Sequence, residues 1–176
     1  MEEIKNIPDM TDAEPIDIAK KMISILDEKD AKGIKLLLPV DNVIADKFPA
    51  EKDASDIKLE LCEGDIPDGW MGLDIGPKSI ELFSNAVKGA NTVVWNGPMG
   101  CFEFAPLAKG TYGVCEAVAC VKTNGGTSII GGGDSVSAVK KSGKADEMSH
   151  ISTGGGASLE FLEGKVLPGV AALGDL

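Results

Sequence analysis

Three features of the sequence predict an α/β fold, a three-layer domain with a mainly parallel sheet. Short apolar runs alternate with stretches of helical spacing along most of the chain. Glycine and proline punctuate most of the changes between the two. Two stretches, SIIGGGDSV and HISTGGGASL, repeat one plan: a short strand, three glycines, then small residues opening a helix. Alternation of this kind places helices on the faces of a parallel sheet, joined by right-handed crossovers.

The elements follow in order. Residues 1–14 read as an irregular leader. Ile18, Met22, Ile23, Ile25 and Leu26 repeat at helical spacing up to Asp30, and Gly33 ends the run. IKLLLP (34–39), bounded by Gly33 and Pro39, reads as a buried strand. Residues 41–56 are polar and loop-like, and IKLEL (57–61) alternates as an edge strand would. WMGLDIGP (70–77) is a strand and a turn, after which Pro77 can open a helix running to about Lys88. NTVVW (91–95) is a strand, and Leu107 to about Lys122 has helix spacing. GTSII (126–130) is a strand followed by a helix over Asp134–Ser142. SHIS (149–152) is a short strand followed by a helix over Ala157–Leu162.

Composition narrows the function. A chain of 176 residues with 43% hydrophobic and 26% charged residues is ordinary globular material. No apolar run approaches the roughly 20 residues of a membrane span. The opening MEEIKNIPDMTDAEP has no apolar centre, so it is not a signal peptide, and a cytoplasmic setting is expected. A net charge of −11 argues against a nucleic-acid surface, which needs clustered Lys and Arg. Cys62, Cys101, Cys115 and Cys120 form no CxxC, and His150 is the single histidine, so neither a zinc site nor a disulfide framework is expected.

The glycine turns carry the chemistry. In a parallel sheet both emerge beyond the carboxyl ends of the strands, where open α/β sheets bind ligands. Glycine lets a ligand approach the backbone, and the first N–H groups of a helix lack internal partners. The helix dipole adds partial positive charge, so Gly131, Gly132 and Gly133, with Gly154, Gly155 and Gly156, suit a phosphate. Tight packing between strand and helix would also explain small residues here. Asp134 either caps the helix or holds a Mg²⁺ ion that bridges it to phosphate. Ser135 either caps the helix or touches the ligand. Asn96 and Pro98 make a turn at another strand end, where Asn96 could also bond a ligand. Glu103 is either a surface side chain between aromatics or an acceptor for ribose hydroxyls. Gly72 and Leu73 offer exposed backbone to a flat apolar ring, or Leu73 is core.

GWMGLDIGP, VVWNGPMGCFEF, IIGGGDS and HISTGGGASLEFLEGKVLPGV, in this order, resemble the C-terminal, nucleotide-binding domain of phosphoglycerate kinase. The resemblance covers about 34–173 and is strongest over 69–104 and 126–170. It implies a Rossmann-like domain, incomplete relative to the family, over residues 15–176. It implies reversible phosphoryl transfer between 1,3-bisphosphoglycerate and ADP, giving 3-phosphoglycerate and ATP. Under it, Gly131, Gly132, Gly133, Asp134 and Ser135 meet the nucleotide phosphates, with Asp134 on Mg²⁺. Gly154 and Gly155 open the helix that faces the transferred phosphoryl group. Gly72 and Leu73 belong to the adenine pocket, Glu103 to the ribose, and Asn96 and Pro98 to a neighbouring contact. Ser152 and Thr153 match a segment linked to domain closure. The basic domain that binds phosphoglycerate has no counterpart in this sequence, nor does the family's Gly-Gly-x-Lys segment. The resemblance therefore implies a chain that alone turns over little, a less regular residue range 1–33, and an uncovered sheet edge with an apolar patch. The alternative is a non-catalytic Mg-nucleotide or phosphate-binding module of the same fold. A dehydrogenase would need G-x-G-x-x-G spacing, which neither turn has.

Overall fold

The computed structural model describes residues 35–173, together with Asp17, Lys20 and Ser24, which are helical. The leader at 1–14, the end of the first helix and the regularity of 1–33 lie outside the described residues. The fold set out here is that of the unit Pro39–Leu176.

Its strands form two sheets. In the first, β1 (Asp41–Ala45) lies between β2 (Leu59–Glu63) and β3 (Met71–Ile75), antiparallel to both. Its central place explains why Ile44 and Ala45 are buried. In the second, β4 (Thr92–Asn96), β5 (Thr127–Gly131) and β6 (His150–Ser152) run parallel in that order. Helix α1 (Pro77–Lys88) follows β3, and α2 (Lys109–Thr123) lies between β4 and β5. The two helices pack together so closely that a Cβ at Gly113 would lie 2.6 Å from Ile80 Cγ2. Helix α3 (Gly133–Lys141) follows β5, and α4 (Gly155–Leu162) and α5 (Pro168–Ala171) follow β6.

The core lies between α2, α3 and the parallel sheet. Trp95, Val114, Val118, Ile130, Val136, Val139 and Met148 are buried there in one cluster. Each side chain of this size contributes about 1.5–3 kcal/mol by leaving water. A second cluster joins Ala45, Leu73 and Leu107 under the first sheet. Asp41 ties β1 to α1. Its carboxylate accepts the Lys78 and Ser79 N–H groups at 2.9 and 2.7 Å and the Ser79 hydroxyl at 2.6 Å, so it caps the helix from a distant strand. Burial alone would raise its pKa, but these three donors hold it below the usual carboxylate range.

The α/β architecture with a parallel sheet between helices is as the sequence predicts, and so are the strands and longer helices from Pro77 to Leu162, to within a few residues; the short helix α5 is unexpected. Three expectations change. Residues 35–39 form no strand, and Leu36, Leu37 and Leu38 are exposed. The described part of the apolar run, 35–39, is thus not a buried strand. The stretch 41–56 is not all loop, because β1 occupies its start. The strand of WMGLDIGP belongs to the antiparallel sheet rather than to the parallel series. Among the described residues β4 pairs only with β5, and its other edge is free. Val94 on β4 is 42% exposed, beside exposed Phe161 and Leu162. All four cysteines are free thiols. Among the described residues no helix is long and apolar enough to cross a membrane.

Candidate functional site

The register of the parallel sheet brings the candidate residues together. Asn96 lies opposite Gly131, and Gly131 opposite Ser152. Asn96 and both triglycine turns therefore leave the sheet at one edge. The turns touch. A Cβ at Gly155 would sit 2.7 Å from Gly132 Cα and 2.9 Å from Gly132 N, so only glycine lets them close. Asn96 Oδ1 fills the angle between them, 2.8 Å from a Cβ placed on Gly132 and 3.1 Å from one on Gly155. Gly132 has φ +89, a conformation that glycine adopts without strain.

Each turn opens a helix without a side-chain cap. Gly132 is the N-cap of α3 and Gly154 that of α4, and neither end has a side-chain cap bond. The N–H groups of Gly133 and Asp134 on α3 and of Gly156 and Ala157 on α4 keep no partner among the described residues and point to a common edge reinforced by two helix dipoles, whereas Gly155 N–H donates to Thr153 O at 3.0 Å. Asp134 stands in the first turn of α3, exposed, with no hydrogen bond or ion pair among the described residues. It is not the helix cap that its position allows. A free carboxylate with no protein partner among the described residues is an oxygen donor of the kind that would hold Mg²⁺. Among the described residues no cluster of three or more His, Cys, Asp or Glu could hold a metal by itself.

Ser135 is elsewhere. It is fully buried, and its Oγ accepts the Gly97 N–H at 2.6 Å. The structure places it behind the turn rather than on the ligand side. Ser152 Oγ accepts the Gly154 N–H at 3.2 Å and steadies the second turn. Thr153 is exposed beside it.

The chain after Asn96 leads from these turns to a groove of about 420 Å³ lined by Gly72, Leu73, Asp74, Met99, Gly100 and Cys101, among others. Gly72 is exposed on its wall, whereas Leu73 is 8% exposed and packs in the core with Ala45 and Leu107, so it offers backbone rather than side chain. Cys101 N–H donates to Leu73 O at 2.9 Å and joins the turn to β3. Pro98 is half-buried in the connecting turn. Glu103 is exposed and lies outside the groove lining. Burial pushes the Cys101 thiol up, and the charges of Glu103 and Asp74 push it further. Sequence reasoning missed Asp74. This residue is buried, its carboxylate accepts the Gly110 and Ile75 N–H groups, and burial raises its pKa against those two bonds. A second groove, of about 450 Å³, beside Gly154 is apolar, lined by Val94, Ile129, Phe161, Leu162 and Val170 among others.

Fold and candidate site together define a class: an α/β protein in which two helix starts adjoin at the carboxyl edge of a parallel sheet. Comparison with known proteins gives the family. The model of phosphoglycerate kinase matches residues 5–165. The chain is 53% identical over 166 residues to the phosphoglycerate kinase of Synechococcus elongatus, covering 94% of this chain and 40% of that protein. It is 54% identical to the cytosolic phosphoglycerate kinase 3 of Arabidopsis thaliana, with the same coverage. The solved phosphoglycerate kinase structure from Coxiella burnetii superposes with a TM-score of 0.73 at 34% identity, over 85% of this chain and 36% of that one. That from Pyrococcus horikoshii gives 0.74 at 30% identity, over 96% and 39%. The chain belongs to the phosphoglycerate kinase family, and it spans about 40% of the length of the curated relatives it matches.

Proposed function

We propose that residues 15–176 are the nucleotide-binding half of a phosphoglycerate kinase, which exchanges a phosphoryl group between ATP and 3-phosphoglycerate. The observation that carries this reading is the contact between the two triglycine turns, with Asn96 between them. In it, Gly131, Gly132 and Gly133 approach the polyphosphate of ATP or ADP, and Asp134 would hold Mg²⁺. The ion, when bound, neutralises charge on the phosphate oxygens. Gly154 and Gly155 present the N-terminus of α4 to the phosphoryl group in transfer. Its charge spreads over three equatorial oxygens, which fixed amide donors stabilise without reorganising. Asn96 sets the angle between the turns, with Pro98 shaping the chain that follows. Gly72 and the backbone of Leu73 receive the adenine, and Glu103 the ribose. Ser135 acts on the nucleotide only through the Gly97 N–H that it holds.

Phosphoryl transfer rests on positioning and on cations around the phosphates. Net charge is −11, and among the described residues no lysine bonds or pairs within the two turns. This chain alone is therefore expected to bind Mg·ADP weakly and to turn over little, with phosphoglycerate requiring the rest of the enzyme. Calorimetric titration tests the reading. Heat of binding for Mg·ADP at millimolar nucleotide or below supports it. Absence of heat for Mg·ADP and Mg·ATP would remove it. Equal heats for Mg·ADP and inorganic phosphate would favour a phosphate-binding module.

A further inference from the structure

The turn 97–100 connects the two ends of the candidate site. Asn96, just before it, faces the triglycine turns, and Met99 and Gly100, at its end, line the groove with Gly72. Every backbone donor in this turn goes to a buried hydroxyl. Gly97 N–H donates to Ser135 Oγ at 2.6 Å. Met99 and Gly100 N–H both donate to Thr111 Oγ1, at 3.1 and 3.2 Å. Pro98 has no N–H to give. Thr111 and Ser135 are both fully buried and come from different helices, α2 and α3.

Asp74 closes the remaining side. Its carboxylate accepts Gly110 N–H at 2.8 Å, the residue before Thr111, and leaves no room for a Cβ at Gly100 or Gly110. The turn is therefore held between β3 and two helix starts, with no spare donor and no space to slide.

We propose that Thr111 is a positioning residue of the nucleotide site: through the Met99 and Gly100 amides it fixes the separation between the amide edge and the groove. The proposal rests on the nucleotide reading and adds to it a residue that touches no ligand. A molecule that spans two subsites gains affinity over its pieces only when the subsites keep a fixed spacing. Thr111 hence matters for a whole nucleoside diphosphate and hardly at all for its parts.

Thr111→Val removes the acceptor at nearly constant shape, and Thr111→Ser keeps it. In the full 176-residue chain, amide exchange at Met99 and Gly100 and affinities for Mg·ADP, adenosine and pyrophosphate are measured for both. In the valine variant those two amides exchange faster and Mg·ADP affinity falls about tenfold, the consequence of leaving two buried donors unpaired. Adenosine and pyrophosphate bind within about twofold of wild type, because each uses one subsite. The serine variant restores all values. Unchanged exchange, or unchanged Mg·ADP binding, in the valine variant overturns the proposal alone. Parallel loss for all three ligands also overturns it, since that marks a merely structural role. A wild-type chain that binds none of the three overturns the nucleotide reading and this proposal with it. Should the valine variant not fold, Ser135→Ala carries the same test through the Gly97 amide.

Discussion

A methyl group at Gly155 probes the contact between the two turns. The added Cβ would meet Gly132 Cα at 2.7 Å, Gly132 N at 2.9 Å and Asn96 Oδ1 at 3.1 Å. Carbon atoms rest about 3.5–4.0 Å apart, so the turns must part by roughly 1 Å. Gly155 lies outside the left-handed region, so alanine brings no backbone strain. Helix α4 buries none of its residues, and it can move outward with little cost to folding. The thermal midpoint is thus expected to stay close to wild type, as for a surface change within about 0.5 kcal/mol. Binding should suffer far more. A displacement of about 1 Å among groups that must converge on one phosphate lowers Mg·ADP affinity about ten- to hundredfold. Gly169→Ala is the control: nothing lies within 4 Å of its Cβ, it belongs to neither turn, and it should bind within about twofold of wild type. Calorimetry and thermal unfolding on the three proteins decide the matter. Wild-type affinity in Gly155→Ala, or equal losses in both variants, would refute the reasoning.

Further outcomes follow from the same geometry. Gly133→Ala meets no protein atom within 4 Å and has ordinary φ, so stability should hold or rise by up to about 1 kcal/mol. Its nucleotide affinity should nonetheless fall, because the methyl occupies the ligand's approach; retained affinity would contradict close backbone contact. Asp134→Ala should weaken Mg·ADP more than free ADP in paired titrations, whereas equal losses would point to a helix-end charge effect. Asp41 has a folded pKa below its unfolded value of about 3.9, so the stability it contributes is full above that pH and is lost as pH falls through the folded value. Asp41→Asn should lower the urea midpoint at pH 7 by the equivalent of about 1–3 kcal/mol and flatten the acid limb below about pH 4. An unchanged acid limb would show that Asp41 does not carry this linkage.

Local signals made the second half of the chain readable. Thr127–Gly131 and His150–Ser152 are short strands that run into the two triglycine turns, and the helices after them begin where small residues begin. The residues of the candidate site come together because the parallel register follows from the repeated strand–turn–helix plan. The first half obeyed longer-range rules. Asp41 reads as a loop residue, yet it is buried because it caps a helix whose first residue is Pro77. The direction of β3 is set by pairing with β1, which no local pattern encodes. The leucines at 36–38 look like a core strand, but an apolar run is buried only where neighbours cover it, and here they are exposed. In the sequence, Leu73 is open between core packing and ligand contact, and Ser135 between a helix cap and ligand contact. The first packs in the core and the second clamps Gly97. Thr111 had no signal in the sequence, since a buried hydroxyl that accepts two amides from another segment has no spacing to reveal it.

In the nucleotide reading two bends of backbone serve one polyphosphate, and amide resonances report on this directly. A ¹H–¹⁵N titration of the chain with Mg·ADP should move the amides of residues 131–134 and 154–157 together, along one saturation curve. Shifts confined to one bend, or scattered away from both while the nucleotide binds, would contradict it.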